Sequence, residues 1–415
     1  MKKQKILIIS DHALSTSGVG VQSLLLIEGL LKTQKYQFLQ LGAAIDHKNY
    51  DTVKVNENFY IKPIKGFGNV NLIRSILLNE SPDALIIFSD PRFFKYLFEI
   101  EDEIHQFCPI LWWHVWDNYP YPKFNNWMYE STDVINCHSY LTYNMLNENF
   151  HLKEINYIPH SYPKNIFYRL KEKEIYKEKE RILGKENLNS FICLWVNRNC
   201  LRKRPGDVIK SWNLFLQKID KEKREECILI MHTNPNDNSG HDINSLIQYF
   251  NLEDNVILST QKIETSMLNI LYNISDVTLN ISYNEGFGLT TLESMMTGTP
   301  IIATKTGGLK RQVIDYRDDS ENGVALNIDV STINGNQEIS YIYQDYTSCE
   351  NIAIGIKKYY NFDKSKKDTL SYKVENYANL EFNYDKSISM WDKSIQKSIS
   401  DFKNNIKNNL EVINC

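Results

Sequence analysis

Short apolar runs alternate with longer amphipathic stretches along this chain, and that alternation leaves few folds open. In the first half the runs are KILIIS (5–10), YQFLQLG (36–42), ALIIF (84–88), ILWWHVW (110–116), DVINC (133–137) and INYI (155–158). Helical stretches such as Val21 to Lys32 and Tyr140 to Glu148 lie between them. Runs this short and continuously apolar suit strands buried on both faces, and intervening helices supply the crossovers of a parallel sheet. A second series follows: FICLWV (191–196), CILIMHT (227–233), NVILS (255–259), DVTLNIS (276–282) and PIIATK (300–305). Between the two series, KEKEIYKEKERILGKEN (171–187) mixes charges without a continuous apolar face and marks a boundary. The tail from about 345 has no strand-like run and reads as helices. The expected class is therefore α/β, with two doubly wound Rossmann-like domains. A chain of 415 residues suffices for two cores of about 200 residues each. The expected limits are 1–170 for the first domain, joined by a C-terminal helix at about 383–415, and 190–382 for the second.

Charge and cysteine usage exclude several classes. A net charge of −4 provides no global field for nucleic acid or an anionic membrane. No apolar run approaches the ~18–20 residues of a membrane span, and the start, MKKQKILIISDHALS, reads as a first strand rather than a signal segment. The cysteines at 108, 137, 193, 200, 227, 349 and 415 are scattered without a C-x-x-C pair, which suits reduced thiols. The expected location is the cytoplasm, with peripheral contact to a membrane face left open. The aromatic share is 12%, and several of these residues cluster near residue 115, where Trp112, Trp113, Trp116, Tyr119 and Tyr121 suit either a core or stacking against sugar rings.

Four stretches carry candidate chemistry. In YNEGFGLTTLESMMTGTPIIATKTGG (283–308), Glu285 precedes a Gly286-Phe287-Gly288 loop and Glu293 lies in the helix that follows. Loops at the carboxyl ends of parallel strands bind ligands, glycines admit close backbone approach, and a helix start favours phosphate. By spacing alone the two glutamates read more readily as surface acids beside a connecting turn, because two glutamates at any given separation are common. In LWVNRNCLRKRPGD (194–207), Arg198, Arg202, Lys203 and Arg204 crowd a strand's end, where they would repel one another unless an anion sat among them. Gly18 and Gly20 open a helix after the first strand, but the dinucleotide spacing is incomplete. His114 ends an apolar strand, where a histidine serves either the core or a ligand; His160, in YIPHSYP, is a weaker candidate. No two aspartates lie two residues apart, and histidines and cysteines show no ligand spacing, so no metal site is expected.

The segment LYNISDVTLNISYNEGFGLTTLESMMTGTPIIATKTGG resembles the donor-site segment of glycosyltransferase family 4, retaining enzymes of the GT-B fold. Their two glutamates eight positions apart match Glu285 and Glu293, and the family's diphosphate-binding Arg and Lys match Arg198 and Lys203. The glycines 18 and 20 and His114 are similar to the family's amino-terminal loop and its histidine near the reacting sugar. One departure is PHSYP, where Ser161 replaces the family's glycine. The resemblance implies two domains facing a cleft, with C-terminal helices crossing back to the first. It implies a nucleotide-diphosphate sugar, UDP- or GDP-linked, as donor substrate, with neither metal nor further cofactor. Glu285 would contact the sugar and Glu293 the ribose, while Gly286, Phe287, Gly288, Leu289 and Thr290 line the donor. The acceptor implied is a glycan or a lipid-linked glycan; the acidic balance disfavours a modified nucleic-acid base without excluding it. An epimerase or phosphorylase on the same fold, and a non-catalytic binder, are the competing readings.

Overall fold

The apolar runs form parallel strands, as their lack of polar alternation requires. The computed structural model describes residues 2–151 and 153–413, with side chains through 405. It divides the chain into two α/β units: Met1–Ser161 with Gly335–Ile342 and Tyr384–Cys415, and Tyr162–Asn334 with Tyr343–Asn383.

The first unit is built on strands β1 (Gln4–Asp11), β2 (Tyr36–Ala43), β3 (Val53–Asn56), β4 (Phe59–Pro63), β5 (Ala84–Ser89), β6 (Ile110–His114), β7 (Val134–Cys137) and β8 (Glu154–Tyr157). They form one sheet in the order β3-β4-β2-β1-β5-β6-β7-β8, parallel throughout except for the antiparallel β3–β4 pair. Both faces are covered. One carries Leu7, Ile9, Ile87, Trp112 and Tyr129; the other carries Ile6, Ile8, Phe88 and Trp113. The long helix Tyr384–Ile413 seals the second face with Trp391, Ile395 and Ile399, and the Tyr384 hydroxyl donates to the Leu25 carbonyl at 2.6 Å. Trp112, Trp113 and Trp116 are core residues of this unit, while Tyr119 is exposed.

The second unit contains β9 (Phe191–Val196), β10 (Cys227–His232), β11 (Val256–Ser259), β12 (Val277–Asn280) and β13 (Ile301–Thr304), a short pair β14 (Ile314–Asp315) and β15 (Ser320–Glu321), then β16 (Gly323–Leu326). Its main sheet is parallel, in the order β11-β10-β9-β12-β13-β16. The order reverses between β9 and β12, so the loops leaving their carboxyl ends flank a topological switch point, where open α/β sheets bind ligands. A separate two-stranded ribbon, β17 (Val330–Asn334) and β18 (Ile342–Tyr346), follows β16.

Sequence periodicity and structure part at several places. Strand β6 stops at His114 rather than running to Trp116. The mixed-charge stretch 171–187 holds the helix Glu172–Leu183, which lies within the second unit, the chain passing between units at Ser161 and Tyr162. Strands β3 and β17 are exposed at every residue and lack the continuous apolar run that marks the buried strands. The described cysteines 108, 137, 193, 200, 227 and 349 are free thiols; Cys415 lies outside the described residues. Among the described residues no helix is long and apolar enough to cross a membrane.

Candidate functional site

The switch point of the second unit gathers the charged residues. Glu285 sits in the loop after β12 and is only 9% exposed. Its Oε2 is ion-paired to Lys203 Nζ, lies 3.7 Å from Arg202 Nη1, and accepts from the Ser282 hydroxyl at 3.3 Å. Burial alone would push its carboxyl up, but Lys203 and Arg202 outweigh that and hold it below the usual carboxylate range. Glu285 is therefore a fixed anion at the carboxyl end of the sheet. Lys203 reaches it from the loop after β9.

The glycine loop owes its shape to specific packing. Gly288 has φ +92° and caps the helix Leu289–Met296; a Cβ there would meet Leu309 Cδ2 at 2.5 Å and Thr291 Oγ1 at 2.7 Å. Gln312 Nε2 donates to the carbonyls of Phe287 at 2.7 Å and Gly288 at 3.1 Å, and the Gly308 N–H donates to the Glu285 carbonyl at 2.7 Å. These bonds hold the backbone of 285–288 from behind. The Phe287 ring turns into the unit and meets Phe382 edge-on at 5.5 Å, so it offers its backbone rather than its ring. Gly286 is buried, whereas Leu289 and Thr290 are half-buried at the start of the helix.

Glu293 is buried one turn further along. Its two oxygens accept from the hydroxyls of Tyr162 at 2.6 Å and Tyr272 at 2.8 Å. Burial raises its carboxyl pKa, and both tyrosines pull the other way. Neither tyrosine was a sequence candidate; their distances of 131 and 21 residues from Glu293 offer no local signal.

The basic run is not the open cluster its sequence suggests. Arg198 is half or more exposed and forms a two-point pair with Asp237, at 2.6 and 3.2 Å. Arg202 donates to the Asn284 carbonyl at 2.7 Å. Arg204 is turned inward against Asp207 at 2.9 Å. Each cation is matched by a carboxylate or carbonyl of the unit, so mutual repulsion does not require an anion here. That corrects the argument from crowding.

The first-unit candidates behave differently. His114 is fully buried, with Nε2 2.9 Å from the Tyr129 hydroxyl and its ring 4.6 Å from that of Trp112. Burial pushes its pKa down to about 3 and keeps it neutral. The strand-end position does not bring this ring to a surface, and the core alternative describes it. His160 is likewise buried, 4.7 Å from the His138 ring. Gly20 donates its N–H to the Ser17 cap at 3.0 Å, and a Cβ there would strike Ser15 Oγ at 2.4 Å. Its lack of a side chain serves that close turn, and its amide is committed to the cap. Gly18, the first residue of the helix Gly18–Leu31, is exposed. Asp11 ends β1 and accepts from the Ser17 hydroxyl at 2.7 Å.

Comparison with known proteins bears on the family and the fold. The profile of the family described as "Glycosyl transferases group 1" matches residues 176–358. A D-inositol 3-phosphate glycosyltransferase of Paenarthrobacter aurescens (strain TC1) is 28% identical over 146 residues, which is 34% of this chain and 34% of that protein's length. The chain thus aligns with about a third of that relative. Among solved structures, sucrose-phosphate synthase from Thermosynechococcus elongatus superposes with a TM-score of 0.72 at 16% identity, covering 95% of this chain and 99% of that one. HepE from Anabaena, solved in complex with UDP and glucose, gives a TM-score of 0.68 at 13% identity, covering 95% and 100%. At such identities the likeness shows the fold, two Rossmann-like units of the GT-B type.

Proposed function

We propose that this chain, whose residues 176–358 match the family described as "Glycosyl transferases group 1", moves a sugar from a nucleotide diphosphate to an acceptor hydroxyl with retention of anomeric configuration. The observation that carries the reading is the buried Glu285, ion-paired to Lys203 and beside Arg202 at the switch point of the second unit. A carboxylate and two cations fixed there suit a ligand with sugar hydroxyls at one end and a diphosphate at the other.

In this reading Lys203, Arg202 and Arg198 meet the diphosphate and offset the charge that develops on it as the glycosidic bond breaks. One such group contributes on the order of 3 kcal/mol to transition-state stabilisation. Glu285 accepts hydrogen bonds from donor-sugar hydroxyls. Glu293 meets the ribose: a carboxylate has about four acceptor sites, and the two tyrosine hydroxyls use two of them. The backbone of 286–290 approaches the phosphates at the helix start. The anomeric carbon leaves the diphosphate oxygen and bonds to the acceptor oxygen on the same face, while the acceptor proton passes to the departing diphosphate. A uridine donor is favoured because HepE, of the same fold, was solved with UDP. The acceptor class is a glycan or a lipid-linked glycan, and its binding is assigned to the first unit, in the cytoplasm.

The test is a thermal-shift panel of UDP-, GDP-, ADP- and CMP-sugars. A ligand at 100 times its dissociation constant stabilises by about 2.7 kcal/mol. A UDP- or GDP-sugar is expected to raise the melting temperature in the wild type and to lose that effect in Lys203→Ala. No shift with any nucleotide sugar overturns the reading.

A further inference from the structure

Arg204 stands apart from the other cations of its run. It is 1% exposed, and its backbone adopts φ +57°, a left-handed conformation that glycine would hold without strain. A chain that keeps a long buried cation in such a position must use the side chain. Each arm of the guanidinium is committed: Nε donates to Asp207 Oδ2 at 2.9 Å, Nη1 to the Ile281 carbonyl at 3.2 Å, and Nη2 to the Thr347 carbonyl at 2.8 Å. Its plane packs against two aromatic rings, Tyr283 at 5.0 Å and Tyr346 at 4.2 Å.

These partners come from three separate segments. Asp207 begins the helix Pro205–Gln217, Ile281 and Tyr283 belong to the loop after β12, and Tyr346 and Thr347 close the ribbon strand β18. Backbone bonds run parallel to the same tie. The Tyr283 N–H donates to the Arg202 carbonyl at 3.0 Å, and the Asp345 N–H donates to the Tyr283 carbonyl at 2.8 Å. Asn284 Nδ2 donates to the Tyr343 carbonyl at 3.1 Å. The loop that carries Lys203, the loop that carries Glu285 and the base of the ribbon are thus joined at one guanidinium.

We propose that Arg204 is a positioning residue for nucleotide binding: it clamps the β9 loop, the β12 loop and strand β18 together so that Lys203 is held opposite Glu285, which makes the ribbon a working part of the donor site. This inference rests on the donor reading above. Arg204 touches no ligand in it. It acts through Lys203, its sequence neighbour, and a lysine in its place cannot reproduce three arms and a stacking plane.

The experiment measures UDP binding by titration calorimetry, with amide hydrogen exchange alongside, for wild type, Arg204→Lys, Tyr346→Ala, Lys203→Ala and the Arg204→Lys/Lys203→Ala double variant. Arg204→Lys is expected to weaken UDP binding about tenfold, equivalent to about 1.4 kcal/mol. Tyr346→Ala, which removes one stacking face without unpairing a buried charge, should weaken it in the same direction. The double variant should bind no worse than Lys203→Ala alone, because the clamp acts through the residue already removed. Losses that multiply in the double variant, or wild-type affinity in both Arg204→Lys and Tyr346→Ala, overturn the proposal. Wild type failing to bind UDP refutes a uridine donor instead, and the exchange data then decide the clamp alone. Protection at 281–288 and 342–347 should fall together in Arg204→Lys; loosening confined to 201–207 overturns it.

Discussion

Replacing Lys203 with methionine isolates the interaction on which the proposed site depends. The side chains of Lys203 and Glu285 are 12% and 11% exposed, so the pair is largely removed from water. Breaking a buried pair by removing one partner costs about 3–5 kcal/mol, because the other charge is left uncompensated. Arg202, 3.7 Å from the same oxygen, remains to compensate in part, which puts the expected loss near the lower bound, about 3 kcal/mol at pH 7. The pH dependence follows from the sign of the shift. Glu285 is held below its ordinary pKa, so its pairing stabilises the wild type above the unfolded carboxylate value of about 4.3, and that stability is lost as pH falls through the lowered folded value. Without Lys203, burial becomes the larger influence and Glu285 takes up a proton at higher pH. The deficit of Lys203→Met should therefore shrink between pH 7 and pH 5. Urea unfolding followed by the fluorescence of the buried Trp195 and Trp212, both in the second unit, reads it directly. Lys203→Met/Glu285→Gln should recover most of the loss, since it leaves no buried charge unpaired. A deficit under about 1 kcal/mol, the value of an exposed pair, or one unchanged with pH, would refute the reasoning.

Other expectations follow from single contacts. Tyr272→Phe removes a hydroxyl donor from buried Glu293 and should cost about 1–3 kcal/mol in thermal or urea unfolding; a neutral result would mean the carboxylate has another donor to turn to. Gly288→Ala places a Cβ against Leu309 and Thr291 at φ +92°, so a loss exceeding about 1 kcal/mol is expected on unfolding. Arg198→Ala, at an exposed pair, should change stability by no more than about 0.5 kcal/mol while weakening UDP binding in calorimetry; unchanged binding removes Arg198 from the site. Glu293→Ala should chiefly weaken donor binding and Glu285→Ala chiefly lower turnover, and equal, negligible effects of both in steady-state kinetics would leave the two as buried structural carboxylates outside the donor site.

What could be read from the sequence was whatever leaves a periodic or local trace. FICLWV and ALIIF announce buried parallel strands because all their residues are apolar, and the structure buries each of them. Strands β3 and β17 leave no such trace, since VKVN and VSTIN are exposed throughout. Within the candidate site, Gly288 reveals a tight turn, because few other residues accept its φ of +92°. The partners of each charge are a different matter. Asp237 lies 39 residues from Arg198, Glu285 lies 82 from Lys203, and Tyr162 lies 131 from Glu293. No pattern in a single sequence encodes pairings at that range. The surroundings of His114 were hidden for a related reason: a strand end predicts where a residue sits along the sheet, but which way its ring turns depends on Tyr129 and Trp112, supplied by packing.

That pairing changes how the basic run should be understood. Crowded cations suggested an anion site by their repulsion alone, yet Arg198 is satisfied by Asp237, Lys203 by Glu285 and Arg204 by Asp207. Any diphosphate must therefore compete with carboxylates already in place, and the competition differs along the run. Asp237 is at a solvated pair, which costs little to open. Glu285 is buried, so drawing Lys203 away from it leaves a desolvated anion with Arg202 as its nearest cation, unless sugar hydroxyls arrive to donate in its place. A donor that brings both a diphosphate for Lys203 and hydroxyls for Glu285 satisfies the two groups together, whereas a nucleotide diphosphate alone satisfies only one. The arrangement thus ties recognition of the sugar to recognition of the phosphate: in the proposed site, an intact nucleotide sugar should gain more from Glu285 than free nucleotide does.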